Sequence, residues 1–352
     1  MLLSGGVILD SNYFKGTINS IDARWGADSW LVDLDRGYFY YFRSQNTRTN
    51  FSIAQFDLDG NKLETWDGDI QGYVEGVSNR GYFCFNEDKS QIVVNLQLPA
   101  DISGNSIRFA TIDINFNDFE NSPVTYSDLF DITTINNPLE TIGKLPNGDV
   151  IYISMNIANA SNARIGIYNY NSNTDVSSEL IGINYYFVPS AFKFDYKTNK
   201  AHIILADTIS VSSGSSKLIK YLIYDYNTQS IEYISDSFNT QTYLNLNISG
   251  LYLLDVSSDS IEIGYYDLLD GFRIAIFTKN LSLITFKKIN FTLSNRNFFV
   301  LKKVSKSDYY IWLLKDFYRA RFVQSTKTIP LLSGNVVSGE QSNKSVILQN
   351  DL

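Results

Sequence analysis

Histidine and cysteine are almost missing from this chain of 352 residues, which has one of each, His202 and Cys84, together with two Met and six Pro. A lone cysteine excludes a disulfide scaffold. One histidine and one cysteine exclude a Cys/His zinc site and most catalysis that needs several histidines. Phosphate-cradling loops are also missing, with neither G-x-x-x-x-G-K-[ST] nor G-x-G-x-x-G in the chain. No stretch approaches the length of a membrane span, so membrane insertion is not expected. The apolar run from Met1 to Leu9 lacks a basic residue, and Asp10 cuts it before a signal-peptide core could form. The chain is therefore expected to be made in a cytoplasm and not exported by the general route. Cys84, inside Tyr82-Phe83-Cys84-Phe85, is expected to be a buried small apolar residue.

Positive charge is scarce as well. Lys and Arg total 29 against 37 Asp and Glu, giving a net charge of -8. An acidic chain is not steered toward phosphate backbones or anionic lipid, so no nucleic-acid partner is expected. The densest basic cluster, Lys287, Lys288, Arg296, Lys302, Lys303, Lys306 and Lys315, is expected to be a solvated strand face. The N-x-Ser/Thr sequons at Asn50, Asn159, Asn247, Asn280, Asn290 and Asn343 are what an Asn- and Ser-rich chain produces by chance.

Aromatic residues are abundant: 24 Tyr, 23 Phe and four Trp make 14% of the chain. With Asn near roughly one residue in ten, this composition spells strands and tight turns. A recurring phrase organises them: a strand ending in an aromatic or aliphatic anchor, then Asp or Asn, a polar turn and a second strand. The anchors Phe56, Ile112, Tyr168 and Tyr224 stand 56 positions apart, and weaker copies follow at Phe277 and Phe322. A second hairpin falls between successive copies, turning at Asp35-Arg36-Gly37, Asn86-Glu87-Asp88-Lys89, Pro146-Asn147-Gly148, Lys197-Thr198-Asn199, Ser257-Ser258-Asp259 and Lys306-Ser307-Asp308. Asn147-Gly148 and Asp59-Gly60 have the chemistry of positive-φ turns. Near-continuous apolar runs such as Val150–Met155 and Ala201–Ala206 predict strands buried on both faces. Six periods of four antiparallel strands without helical periodicity predict an all-β, six-bladed β-propeller of four-stranded blades. The expected organisation is an N-terminal extension or ring-closing strand over 1–20, the propeller over 21–332, and a C-terminal tail over 333–352.

The hairpin phrase Tyr224-Asp225-Tyr226-Asn227-Thr228 and its copies resemble the outer-strand hairpins of the β-propeller superfamily over roughly residues 29 to 332. Subfamily marks are lacking: Trp66-Asp67 occurs once rather than in every repeat, and there is no kelch double glycine or sialidase Ser-x-Asp-x-Gly-x-x-Trp box. The resemblance implies a fold and no chemistry. The Gly-punctuated polar tail from Ser333 to Leu348 loosely resembles the C-terminal segments of bacteriophage tail and fibre proteins. The alternative for a terminal strand is that it closes the propeller ring.

Candidate chemistry is sparse. His202, within Ala201-His202-Ile203-Ile204-Leu205, reads as a hydrogen-bonded core or channel histidine in preference to a catalytic base. Oxygen ligands alternate at Asp113, Asn115 and Asn117 and at Asn169, Asn171, Asn173 and Asp175, a spacing that can wrap a structural Ca²⁺ ion, although tight turns choose the same residues. Apart from that calcium, no cofactor is expected, and no catalytic residue is assigned. Asp28, Asp33, Asp35, Asp67, Asp69, Glu75, Asp195, Asp255 and Asp267 fall near predicted strand ends, and several could point into a central pocket. The aromatic clusters Tyr38-Phe39-Tyr40-Tyr41-Phe42, Tyr185-Tyr186-Phe187, Tyr265-Tyr266 and Tyr309-Tyr310 are expected to supply an exposed recognition surface as well as wedges between blades.

These features lead to the expectation of a non-enzymatic structural or attachment component of a viral particle, a bacteriophage tail protein bound to other virion proteins or to a host-surface glycan or receptor. Neither terminal segment is long enough for its own core, so a neighbouring subunit in a large assembly is expected to tie both down. The alternatives are a carbohydrate-binding or carbohydrate-active propeller with a central-channel site, and a cytoplasmic protein-interaction scaffold.

Overall fold

A computed structural model describes residues 5–7, 14–17, 30–44, 50–69, 83–97, 106–128, 130–131, 139–154, 163–172, 174–181, 186–206, 218–239, 248–267, 271–289, 299–303, 308–313 and 316–321. Among the described residues, every regular element but one 3-10 turn at Phe119–Asn121 is a strand, and the strands form six sheets arranged as a β-propeller.

Sheet 1 is a meander of Trp30–Asp33, Tyr38–Ser44, Asn50–Asp57 and Lys62–Asp69. Sheet 2 follows with Phe83–Phe85, Gln91–Gln97, Ser106–Asp113 and Val124–Tyr126, and sheet 3 with Leu139–Lys144, Val150–Ser154, Ala163–Asn169 and Thr174–Ile181. Sheet 4 comprises Tyr186–Asp195, Lys200–Ala206, Leu218–Asp225 and Ser230–Ile234; sheet 5 comprises Ile248–Val256, Ser260–Asp267, Gly271–Thr278 and Leu283–Ile289. Among the described residues, sheet 6 takes three strands from its own stretch of chain, Phe299–Lys303, Asp308–Leu313 and Asp316–Arg321. Its fourth is Phe14–Thr17, paired antiparallel with Asp316–Tyr318.

The first strand of each sheet touches the first strand of the next through the whole series, which places these strands around the axis. A second N-terminal strand, Gly5–Val7, pairs parallel to Lys287–Ile289 at the outer edge of sheet 5. The chain's own sheets thus tie down the N-terminal segment that was expected to need a neighbouring subunit. Residues 322–352, with the Phe322 copy of the phrase and the phage-like tail, lie outside the described residues.

The repeat has a packing cause. Phe56, Ile112, Tyr168, Tyr224 and Phe277 each end a third strand and are each at most 1% exposed. Full burial of such side chains contributes about 1.5–3 kcal/mol apiece. Successive residues of the second strands face opposite neighbours, as a period of two requires. In sheet 2, Ile92, Val94 and Leu96 pack toward sheet 1 while Val93 packs toward sheet 3. In sheet 4, Ala201, Ile203 and Leu205 pack toward sheet 3, and Ile204 toward sheet 5. The runs read from the sequence as inner strands are these second strands.

Turn chemistry closes the hairpins. Asp57 Oδ1 accepts the amides of Asp59 and Asn61 at 2.9 and 2.8 Å, and Gly60 takes φ +86°. Gly148, at φ +94°, closes the 145–149 turn in the same way. The left-handed residue is the glycine alone, in three-residue loops of the bulged type. Where sequence supplies no glycine, Lys89, Asn199, Gln229 and Leu281 adopt φ between 53° and 60°.

Candidate functional site

The axial end of the ring where the first strands stop carries a row of charged side chains. Lys193, Asp255 and Lys303 come from the first strands of sheets 4, 5 and 6. Lys193 Nζ donates to Asp255 Oδ1 at 3.0 Å, and Lys303 Nζ donates to Asp255 Oδ2 at 2.8 Å. Lys303 also reaches Glu262 Oε2 at 2.5 Å, from the second strand of sheet 5, and the buried Tyr309 hydroxyl donates to Glu262 Oε1. One carboxylate pair therefore shares a single ammonium across the boundary of sheets 5 and 6.

Burial sets the electrostatics of this row. Burial alone would raise the Asp255 carboxyl, but hydrogen bonds from Lys303 and Lys193 outweigh it and hold it below the usual carboxylate range. Burial pulls the Lys303 ammonium down, and the bonds to Asp255 and Glu262 more than restore it, so its pKa stands above the ordinary value. The Tyr309 phenol is driven well up, by burial first and then by the Glu262 charge, and stays protonated. Lys193 and Asp255 remain nearly half exposed, whereas Glu262 and Tyr309 form the buried support. Lys303, expected on a solvated face, instead has its side chain 15% exposed because two carboxylates hold it inward.

A second cluster joins sheets 1 and 2. Asp33, fully buried at the end of its first strand, accepts Arg36 Nη1 at 2.9 Å and lies 3.4 Å from Lys89 Nζ. Lys89 also pairs with Asp35 at 2.5 Å. Outside these charges, Trp66 Nε1 donates to Ser122 O at 2.8 Å, and Glu64 Oε2 accepts the Phe119 and Glu120 amides. Near the axis, the Tyr196 hydroxyl of sheet 4 donates to Phe85 O of sheet 2 and accepts the Lys144 amide of sheet 3 at 3.3 Å.

Three of the carboxylates picked from the sequence, Asp33, Asp195 and Asp255, therefore stand at first-strand ends. Asp195 serves its own turn, accepting Lys197 N at 3.0 Å and Thr198 Oγ1 at 2.7 Å. Asp35 is exposed in a turn, and Asp67 is exposed on an outer strand. Asp69 ends that outer strand and Asp267 ends the second strand of sheet 5. Asp28 and Glu75 lie outside the described residues.

The alternating oxygen residues work as turn formers. Asp113 accepts Gln91 Nε2, Asn115 Oδ1 accepts the Asn117 amide at 3.2 Å, and Asn169 Oδ1 accepts Ser172 N at 2.9 Å while its Nδ2 donates to Asp149. Asn171 is exposed, the Asp175 backbone pairs with Tyr168, and Asn173 lies outside the described residues. Among the described residues, no three His, Cys, Asp or Glu side chains come together to hold a metal.

His202 is buried on the sheet 5 side, with Nδ1 2.6 Å from the Tyr221 hydroxyl. Burial first, and then the Lys279 charge, pull its pKa down to about 4. The Cys84 thiol is buried and pushed up by that burial, which keeps it a thiol.

The aromatic surface expected from the sequence is corrected. Phe39, Tyr40, Tyr41 and Phe42 are at most 5% exposed, as are Tyr265 and Tyr309. They fill the spaces between sheets: Tyr40 meets Phe85 and Phe119 edge-on at 5.6 and 5.3 Å, and burial pushes its phenol up to about 12. Tyr185 lies outside the described residues.

Composition could have pointed to Lys193, Glu262 or Lys144 only weakly. Each stands in a strand of mainly uncharged residues, and its partner lies 41 to 62 positions away or in another sheet.

The sequence matches no protein-family model, and no curated protein is similar to it in sequence. Solved structures of similar architecture include a luciferin-regenerating enzyme, 12% identical over 91% of this chain and 95% of that one with a TM-score of 0.49. A glucose dehydrogenase is 10% identical over 84% of this chain and 99% of the other, with a TM-score of 0.48. An ACO/RPE65 chimera is 8% identical over 75% and 60% of the respective chains, with a TM-score of 0.43. At these values the likeness describes architecture and transfers no activity. The expectation of a non-enzymatic protein is corrected: the propeller fold sets no chemistry either way, and solved structures of this architecture bear enzyme names.

Proposed function

We propose that this propeller recognises a hydroxyl-rich ligand of the carbohydrate class at the axial end formed by Lys193, Asp255 and Lys303. The supporting observation is the row itself: the half-exposed donor Lys193 and acceptor Asp255 on successive first strands, held in place by the inward-facing Lys303 and the buried Glu262 and Tyr309. Fixed charged donors and acceptors side by side suit sugar hydroxyls, which need both. A host-surface glycan bound by a bacteriophage tail, the partner expected from the sequence, belongs to this ligand class and stays within the proposal.

Glycan-array binding of the whole chain, alongside Lys193→Gln, tests the reading. Specific signals that fall in the variant support it, and a flat array with wild-type protein would remove it. Turnover is read in the same samples as new reducing ends, and the tail setting by mass spectrometry of purified particles.

A further inference from the structure

Lys144 ends the first strand of sheet 3 and lies half-buried against sheet 2. Its Nζ donates to Thr111 Oγ1 at 3.3 Å and sits 5.2 Å from the centroid of the Tyr170 ring. Thr111 Oγ1 and the Tyr170 hydroxyl are 3.1 Å apart, so amine, alcohol and phenol form one hydrogen-bonded chain between the two sheets. Among the described residues, no carboxylate lies within ion-pair distance of this ammonium, unlike Lys89, Lys193, Lys200 and Lys303. A buried cation without a counter-ion is costly, and an amine in such a place is held toward its neutral, nucleophilic form.

We propose that Lys144 is a carbonyl-reactive amine that condenses with a small aldehyde or ketone at the junction of sheets 2 and 3. The neutral amine attacks the carbonyl carbon, the C–N bond forms, and the carbonyl oxygen takes up a proton to give the carbinolamine. That hydroxyl leaves as water with a proton delivered from Tyr170 through Thr111, and the nitrogen proton returns along the same path to the phenolate, leaving the neutral imine and the restored phenol; no oxidant or reductant is consumed.

The surrounding charges agree with this role. Burial pulls the Lys144 pKa below its ordinary value, and the Asp113 charge opposes that only in part. Burial holds the Tyr170 phenol well up, so it is protonated in the resting protein. The Tyr196 hydroxyl, bonded to the Lys144 amide, is likewise raised and neutral.

The test is competitive reductive amination of the whole chain with propionaldehyde and cyanoborohydride at pH 7, read lysine by lysine after proteolysis and mass spectrometry. Lys144 should be labelled about tenfold faster than the exposed Lys62, with its advantage lost as pH rises toward 10. Labelling of Lys144 no faster than Lys62 would overturn the proposal, and this comparison needs no variant to fold. Tyr170→Phe should slow Lys144 labelling about tenfold at saturating aldehyde while leaving the pH midpoint in place. An unchanged rate in that variant would refute the assignment of Tyr170 as proton donor.

Discussion

His202 makes the stability of this protein pH-dependent in a way that one residue can report. Its imidazole is buried against Tyr221 and is neutral until the pH falls to about 4. In the unfolded chain it protonates near the ordinary value of 6.5. Between those two values the unfolded state binds a proton that the folded state refuses, so stability falls as pH drops from about 6.5 to about 4 and levels off below. A gap of roughly 2.5 pH units at about 1.4 kcal/mol each is worth about 3 kcal/mol, a large fraction of the stability of an ordinary domain. Because the chain has a single histidine, its ring signals in a ¹H–¹³C correlation spectrum need no assignment. The titration midpoint should lie near 4, and denaturant unfolding of wild type minus His202→Gln should lose about 3 kcal/mol from pH 7 to pH 4. A midpoint near 6.5, or a difference that stays flat across that range, would refute the reasoning.

Other perturbations probe the sheet-to-sheet packing. At Gly68 an added Cβ would stand 2.4 Å from the Trp66 ring, so Gly68→Ala should cost about 1–3 kcal/mol by displacing that ring, read as a lower denaturation midpoint. Trp66→Phe leaves Ser122 O without its donor between sheets 1 and 2 and should cost about 1–3 kcal/mol with little change in the circular dichroism of the folded state. Gln229, exposed at φ +54°, is held in a region that favours glycine; Gln229→Gly should raise stability by about 0.5–1 kcal/mol, seen as a higher Tm.

The repeat was legible because its cause is local. An anchor residue buried between sheets recurs in sheets 1 to 5, and Asp57, Asn169 and Asp225 cap the turn that follows it in sheets 1, 3 and 4; both are visible as residue types. The aromatic clusters misled because a strand buried on both faces has no solvent side: Tyr40 and Tyr41 point to opposite neighbours and are both covered. Carboxylates at first-strand ends could be named, but their partners could not. Asp255 meets Lys193 and Lys303 only because three successive first strands converge on one axis. The partner of the N-terminal segment was hidden for a similar reason, since Phe14–Thr17 pairs with sheet 6 across nearly the whole length of the chain.

Carbohydrate recognition by the axial row is tested most directly by calorimetric titration of wild type and Lys193→Gln with the glycan giving the strongest array signal. Lys193 is nearly half exposed and its ion pair with Asp255 is a surface one, so the substitution should leave the melting curve nearly unchanged. Loss of a charged hydrogen bond to the ligand should raise Kd about tenfold or more. An unaltered Kd in a folded variant would contradict the account.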